Sequence, residues 1–314
     1  MSQSRPRRVL TVEETIEELR SLLAKASRIW FVDAETPCRI ALKAGKGDPL
    51  CLTTRYQQLE VVHLDGYGLC MILDGKVQLA QSDEHVYHEL LVHPACVIHG
   101  NPRRCLILGG GDGCAARELL RYPSMEEVIV VDIDEQVLEL FKGQYREINS
   151  GAFNDPRVKV YCQDAMDFLE RDGSFYDIII SDLTEPYDPA EIAGDLSVHV
   201  YSEKAYRTIL QRLNDHGVFV CQTGGILYQP HYDRYHFRIL EGIKEVFPHV
   251  ATAYEFVPSF EALWSITLGA RRPLHVDPSK VDETLKSLGV EGLRFYNGTA
   301  HQRVFSPARF GREV

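Results

Sequence analysis

Residues 104–113 read Arg104-Cys-Leu-Ile-Leu-Gly109-Gly-Gly-Asp112-Gly113. A short apolar run without polar alternation is a strand buried on both faces. The glycines directly after it form the turn by which such a strand passes into a helix, here expected from Ala115 to Arg121. The same unit recurs downstream. Val128-Ile-Val-Val is followed by a helical stretch from Glu135 to Arg146, and Val158-Lys-Val-Tyr by one from Ala165 to Glu170. Asp177-Ile-Ile-Ile-Ser precedes a helix from Ser202 to Leu213, and Val218-Phe-Val-Cys one from Tyr232 to Val246. Strands alternating with helices predict an α/β fold with a doubly wound, Rossmann-like sheet. Ala251–Phe256 and Trp264–Leu268 read as late strands that close it with an antiparallel edge, and residues 271–314 as a C-terminal helix and tail.

Upstream of Pro102 the pattern differs. Thr11 to Ala26 has a capping box in Thr11 and Glu14 and an apolar stripe of Ile16, Leu19, Leu22, Leu23 and Ala26, so residues 1–27 are expected to hold an amphipathic helix. From Arg28 onward short alternating runs are broken by Asp65-Gly66 and Asp74-Gly75, which are hairpin turn signals. The expected division is an N-terminal helix over 1–27, a small antiparallel β-hairpin domain over 28–98, a Rossmann-like catalytic domain over 99–270, and the C-terminal helix and tail.

Composition narrows the function classes. Of 314 residues, 45% are hydrophobic and 25% charged, as in ordinary globular proteins. No apolar run approaches the ~18 residues of a membrane span, and the basic start is not followed by the apolar stretch of a signal peptide. A cytoplasmic protein with no membrane partner is expected. Eight cysteines without a Cys-x-x-Cys pair suit reduced, buried thiols. The formal net charge of −11 repels nucleic acid and favours small cationic ligands.

The glycine loop alone does not choose between nicotinamide, flavin and adenosylmethionine chemistry. Asp112 inside it does, because a carboxylate there repels a pyrophosphate and attracts a sulfonium or an ammonium. The Gly-x-Gly-x-Gly spacing beginning at Gly109 and Gly111 also departs from the dinucleotide Gly-x-Gly-x-x-Gly. Asp132 ends the second strand, where an acid accepts two ribose hydroxyls. Asp164 follows the third strand and is also a candidate helix N-cap. Asp182 ends the fourth strand. Acids at the carboxyl ends of four consecutive strands converge on one crevice.

With these residues in view, the chain resembles the spermidine synthase family of polyamine aminopropyltransferases. The resemblance rests on Gly-Gly-Gly-Asp-Gly, Val-Asp-Ile-Asp and Asp182-Leu-Thr-Glu-Pro. Upstream it rests on Arg55-Tyr56-Gln57, Leu73-Asp-Gly-Lys-Val-Gln78 and Asp83-Glu84-His85-Val-Tyr87-His88-Glu89. Phe295-Tyr296-Asn297 with His301, Phe305 and Pro307 resembles the family's closing motif, so the similarity spans roughly Thr54 to Pro307. It implies a methyltransferase-type fold and transfer of the aminopropyl group of decarboxylated S-adenosylmethionine, a co-substrate, to spermidine, agmatine or putrescine, with 5′-methylthioadenosine released. It implies that Gln57, His88, Gly109, Gly111, Asp112, Asp132, Asp164 and Ala165 surround the donor. Tyr87, Asp182 and Glu185 would face the attacking amine, Asp182 as proton acceptor, beside Phe260 and Trp264. No cofactor and no metal are expected; the spacing of His85, His88 and His93 fits no standard zinc site. The resemblance also implies a homodimer or homotetramer built through the hairpin domain.

Three features depart from the family pattern. Glu185 stands where most members have Asp, Phe260 where putrescine-specific members have tyrosine, and the loop from Pro186 to Val200 is longer than usual. With the Asp-Leu-Thr form and the stretch 150–157, they resemble the thermospermine-forming and agmatine-using branch and point to an acceptor other than putrescine. The alternative activity is that of an S-adenosylmethionine-dependent amine N-methyltransferase, which shares this fold.

Overall fold

The computed structural model describes residues 30–32, 41–43, 49–184, 197–227 and 230–306. The helix expected over Thr11 to Ala26 lies outside them, as does Glu185. Two compact units form, one taking residues up to 82 apart from 54–56, the other taking 54–56 and everything from Asp83 onward.

In the first unit, β1 (Trp30–Val32) pairs antiparallel with β2 (Ala41–Lys43). A separate four-stranded antiparallel sheet runs β3 (Leu50–Thr53), β4 (Gln58–Leu64), β5 (Gly68–Leu73), β6 (Lys76–Ala80) in sequence order. The Asp74-Gly75 signal makes the two-residue turn between β5 and β6. Both residues take positive φ, 47° and 80°, the backbone that matches the twist of the flanking strands. Val62, Leu64, Cys70, Ile72 and Ala80 form an apolar cluster within this unit.

The second unit opens with α1 (Glu84–His99). The alternation then follows as the sequence predicts: β7 (Arg104–Gly109), α2 (Cys114–Leu119), β8 (Glu127–Asp132), α3 (Glu135–Lys142), β9 (Val158–Cys162), α4 (Ala165–Arg171) and β10 (Tyr176–Asp182). After α5 (Ser197–Val200) come α6 (Glu203–Arg212), β11 (Leu213–Ile226), α7 (Pro230–Val246), and the antiparallel pair β12 (His249–Val257) and β13 (Ala262–Ala270). Helix α3 stops at Lys142, four residues short of the expected Arg146, and Gly143 is its C-cap. Among the described residues the C-terminal stretch carries two short helices, α8 (Val281–Ser287) and α9 (Gly298–Val304), rather than one.

The seven strands lie in the order β12-β13-β11-β10-β7-β8-β9. The chain builds outward from β7 to β9, then returns to lay β10 on the other side of β7. The direction of winding therefore reverses between β7 and β10, and ligands of doubly wound sheets bind in the crevice outside such a switch point. The two strands pair in parallel, with Asp182 opposite Gly109. The central strands are buried on both faces. Leu106, Leu108, Ile129, Ile179 and Phe219 pack with Leu169, Ile209, Ile239 and Ile243 of α4, α6 and α7.

The sequence does not announce α1. Twelve of its sixteen residues are buried, including Glu84, His88, Glu89 and His93, and Pro94 lies inside it. A helix covered on all sides shows no amphipathic stripe. As a result the boundary between compact units falls at Ser82/Asp83, not at the expected 98/99, and α1 belongs with the Rossmann-like sheet.

Glu89 is the clearest of its anchors. Fully buried, its carboxylate accepts hydrogen bonds from the backbone N–H groups of Arg294, Phe295 and Tyr296, each at 2.8 Å. Removing that acceptor strands three backbone donors, of which the Tyr296 N–H is buried and costs about 1–3 kcal/mol. Glu89→Ala should lower stability by about 1–3 kcal/mol, read as a drop in the urea midpoint, with Glu89→Gln losing less because an acceptor oxygen remains.

Candidate active site

The loop at the carboxyl end of β7 is shaped by contact with β10. Gly110 N–H donates to the Asp182 carbonyl at 3.0 Å. Gly109 has φ +83°, and a Cβ there would sit 2.1 Å from the same carbonyl oxygen. At Gly111 a Cβ would lie 2.7 Å from Oδ2 of Asp132. Glycine at both positions lets the loop press against two acids at once.

Each acid has a particular donor. Gly111 N–H donates to Asp132 Oδ2 at 3.0 Å and Asp134 N–H to Oδ1 at 2.9 Å. Burial nevertheless lifts the Asp132 carboxyl to about 6. Asp112 Oδ1 accepts the N–H of Cys114 at 2.7 Å, while the Asn149 side chain donates to the Asp112 carbonyl at 2.8 Å and steadies the loop. His88 Nε2 lies 3.8 Å from Asp112 Oδ1. Burial alone would raise the Asp112 carboxyl, but the neighbouring imidazolium and the Cys114 N–H hold it below the usual carboxylate range.

Asp182 receives the Tyr87 hydroxyl at 2.6 Å. Burial, then the negative charge of Asp112, push the Asp182 carboxyl up to about 6, against the opposing pull of His88 and Tyr87. Burial and the adjacent Asp182 charge drive Tyr87 in the same direction, so the phenol stays protonated and donates. The main chain after Asp182 is pinned as well: the Leu183 carbonyl accepts from Tyr201 Oη at 2.9 Å and from Gln222 Nε2 at 2.5 Å.

Asp164 caps α4 by accepting from Asp167 N–H at 2.8 Å, with Ala165 buried next to it. It lines a cavity of about 490 Å³ together with Ile133, Met166 and Tyr56. Phe260, in the 3₁₀ turn after β12, meets Tyr87 edge-on with ring centroids 5.5 Å apart and Trp264 at 4.8 Å. That turn is tied to the start of α1, because Asp83 accepts from Ser259 N–H at 2.7 Å and from Ser259 Oγ at 2.8 Å.

A cluster with metal-ligand spacing exists at Glu84, His88 and Cys114, whose donor atoms all lie within 4.8 Å of one another. The Arg117 guanidinium already occupies the place a cation would take. It donates to both Glu84 oxygens, and its Nη1 is 3.7 Å from Cys114 Sγ.

A glycine loop and four carboxylates thus stand at the carboxyl ends of four adjacent strands. The comparisons with known proteins agree with that geometry. The spermine/spermidine synthase domain matches residues 84–276. A polyamine aminopropyltransferase of Pyrobaculum calidifontis is 40% identical over 252 residues, 78% of this chain and 84% of that one. One of Aeropyrum pernix is 39% identical over 242 residues, 77% and 74% of the two chains.

The chain belongs to the spermine/spermidine synthase family.

Two solved spermidine synthases share the fold. A complex with the transition-state analogue AdoDATO has TM-score 0.79 and 26% identity over 91% of this chain and 94% of that one. The enzyme of Thermotoga maritima has TM-score 0.78 and 25% identity over 91% and 93%. The family resemblance and the fold class expected from the sequence are therefore both established. No helix among the described residues is long and apolar enough to cross a membrane.

Of the site residues expected from the sequence, the structure gathers Tyr87, His88, Gly109, Gly111, Asp112, Asp132 and Asp182 into direct contacts, with Phe260 and Trp264 reached through Tyr87. Asp164 and Ala165 lie at the head of α4. Gln57 belongs to the first compact unit. Sequence reasoning singled out neither Arg117, which holds Glu84, nor Asn149, Tyr201 and Gln222, which hold the main chain at Asp112 and Leu183. Asn149-Ser-Gly is a turn signal that could have drawn attention to the first of those braces on the loop.

Holding Asp182 ionised in this setting costs stability. Its carboxyl is raised from 3.8 to about 6, so at pH 8 the folded protein carries a charge that the unfolded chain solvates better. Asp182→Asn should therefore raise stability at pH 8 by about 1–3 kcal/mol, seen as a higher urea midpoint, and the gain should shrink as pH falls through about 6 and vanish only well below the unfolded value of 3.8, where both states are protonated.

Proposed function

We propose that this polyamine aminopropyltransferase binds decarboxylated S-adenosylmethionine across the switch-point crevice and uses Asp182 to take the proton of the attacking amine. In this reading Asp132 holds the ribose hydroxyls, Asp164 and Ala165 border the adenine, and His88 and Asp112 receive the aminopropyl end. The observation that carries it is the Tyr87–Asp182 hydrogen bond of 2.6 Å beside the Asp112 loop. It leaves the second Asp182 oxygen to face the acceptor nitrogen.

The chemistry follows from charge. An alkylammonium has a pKa of about 10.4 and is no nucleophile until it loses a proton. A carboxylate poised at about 6 is ionised at neutral pH, yet is basic enough to share that proton as the bond forms. The nitrogen lone pair attacks the carbon next to sulfur, the C–S bond breaks, and its electrons return to sulfur. A sulfonium becomes the neutral thioether 5′-methylthioadenosine, while Asp182 accepts the proton. Fixing both cationic substrates in one acidic cleft supplies orientation. Asp112 disfavours intact S-adenosylmethionine, whose carboxylate it repels.

Asp182→Asn should leave donor binding nearly unchanged and lower turnover by about 10² to 10⁴. In the unaltered enzyme the acidic limb of kcat/KM should bend near pH 6, because protonated Asp182 cannot act as a base. Near wild-type turnover of the variant would remove Asp182 from this role.

The acceptor is read as longer or bulkier than putrescine. Phe260, against Tyr87 and Trp264, gives an apolar wall that suits a methylene stretch and cannot accept a hydrogen bond from a second ammonium. Offered putrescine, cadaverine, agmatine, spermidine and spermine, the enzyme should show its highest kcat/KM with a member other than putrescine. Phe260→Tyr should shift preference toward putrescine, and a wild-type maximum at putrescine would refute the assignment.

A further inference from the structure

Helices α1 and α2 meet through a line of alternating charge. Arg117 donates from Nη1 and Nη2 to the two carboxylate oxygens of Glu84, at 3.1 and 2.7 Å. The guanidinium is held in turn by Glu118 at 2.8 Å and by the Ile148 carbonyl at 2.7 Å. Glu84, so fixed, lies 3.0 Å from Nδ1 of His88 one helical turn along, and its main-chain carbonyl lies 2.8 Å from the same nitrogen.

That carbonyl decides which ring nitrogen titrates. A carbonyl oxygen only accepts, so Nδ1 carries a hydrogen whether the ring is neutral or charged. Nε2 is left as the atom whose protonation changes, and Nε2 is the atom that faces Asp112. The side chains of His88 and Asp112 are only 2% and 9% exposed. With an imidazolium, His88 and Arg117 balance Asp112 and Glu84. With a neutral ring, Asp112 would stand buried without a counter-charge.

The other groups around the ring agree with the charged form. Burial opposes it, but Asp112 and then Glu84 outweigh burial and carry the ring up to about 10. Tyr87, edge-on at 5.0 Å on the same helix, stays a neutral phenol. Burial keeps Cys114 a neutral thiol. Asp182 is a further negative charge that favours the cation.

An ammonium brought to Asp112 meets this imidazolium at close range, and two cations at one buried carboxylate repel each other. A neutral ring would instead offer the Nε2 lone pair as a second acceptor. We propose that Glu84 and Arg117 are positioning residues that hold His88 so that its Nε2 proton balances Asp112 in the free enzyme and is released to solvent when the donor's ammonium reaches Asp112. The exchange balances, since one positive charge enters as one proton leaves. This inference rests on the reading of Asp112 as the carboxylate that binds the donor's ammonium.

Calorimetric titration with decarboxylated S-adenosylmethionine at pH 8, in phosphate and in Tris, counts released protons from the difference in apparent enthalpy. About one proton per donor bound is expected. Asp132 and Asp182, both near 6, are almost fully ionised at pH 8 and contribute little to that count. His88→Gln, which keeps an acceptor oxygen, should bind the donor with no proton released, and Glu84→Gln should cut the release to less than about half. The wild-type dissociation constant should fall by up to ~10-fold per pH unit between pH 7 and 9, a test that needs no variant. Donor binding without proton release, or equal release from His88→Gln, overturns the exchange; full release from Glu84→Gln overturns the positioning role. Absence of donor binding to the wild-type protein would instead defeat the reading of Asp112 on which the exchange depends.

Discussion

Carboxylates crowded at the edge of a buried sheet repel one another and lose hydration, and most of the site is the arrangement that makes this tolerable. Asp112 leans on the Cys114 N–H and on His88, Asp132 on two backbone N–H groups, Asp164 on the first turn of α4, and Asp182 on a phenol. None of these donors is mobile solvent. Each belongs to an element whose place is set by the register of β7 against β10 and the helices that follow. The glycine loop thus has two tasks: its missing side chains leave room, and its Gly111 N–H supplies partial positive charge to Asp132. A cation with several N–H donors completes a set of acceptors that the protein itself leaves incompletely neutralised.

Helix α1 is the element through which these parts are coordinated. Over a single stretch, Asp83 to Glu89, side chains reach Ser259, Arg117, Asp182, Asp112 and the peptide groups at 294–296. Successive residues on a helix point about 100° apart, so such a stretch finds partners in every direction only when it is enclosed. In the proposed function the same helix bears on both substrates, through His88 toward the donor and Tyr87 toward the acceptor. The Asp83–Ser259 tie then fixes the Phe260 turn relative to Tyr87.

What could be read in the sequence follows from this. Strands β7, β8 and β10 were plain because burial on both faces leaves apolar runs bracketed by glycine or acid. The carboxylates were plain because a strand end is a position the eye can find. Helix α1 was hidden, since enclosure removes the polar face that marks a helix and Pro94 argues against one. The Glu84–Arg117 pair was hidden for another reason. Its members are separated by 33 positions, and charged residues on helices ordinarily face water. On the acceptor side the sequence offers Tyr87, Asp182, Glu185, Phe260 and Trp264 by family likeness; the contact of Phe260 with Tyr87 and Trp264 arises from a turn between β12 and β13 that local pattern does not specify.

The matched family domain ends at residue 276, but the structure it belongs to does not. Glu89 closes on peptide groups near residue 295, and His301 reaches back to the Tyr296 hydroxyl at 2.7 Å. A chain cut where the sequence domain stops would keep every strand and every carboxylate of the cleft. It would also expose a buried negative charge on the very helix that presents Tyr87 and His88. The end of the matched domain is therefore not an edge of the packed structure.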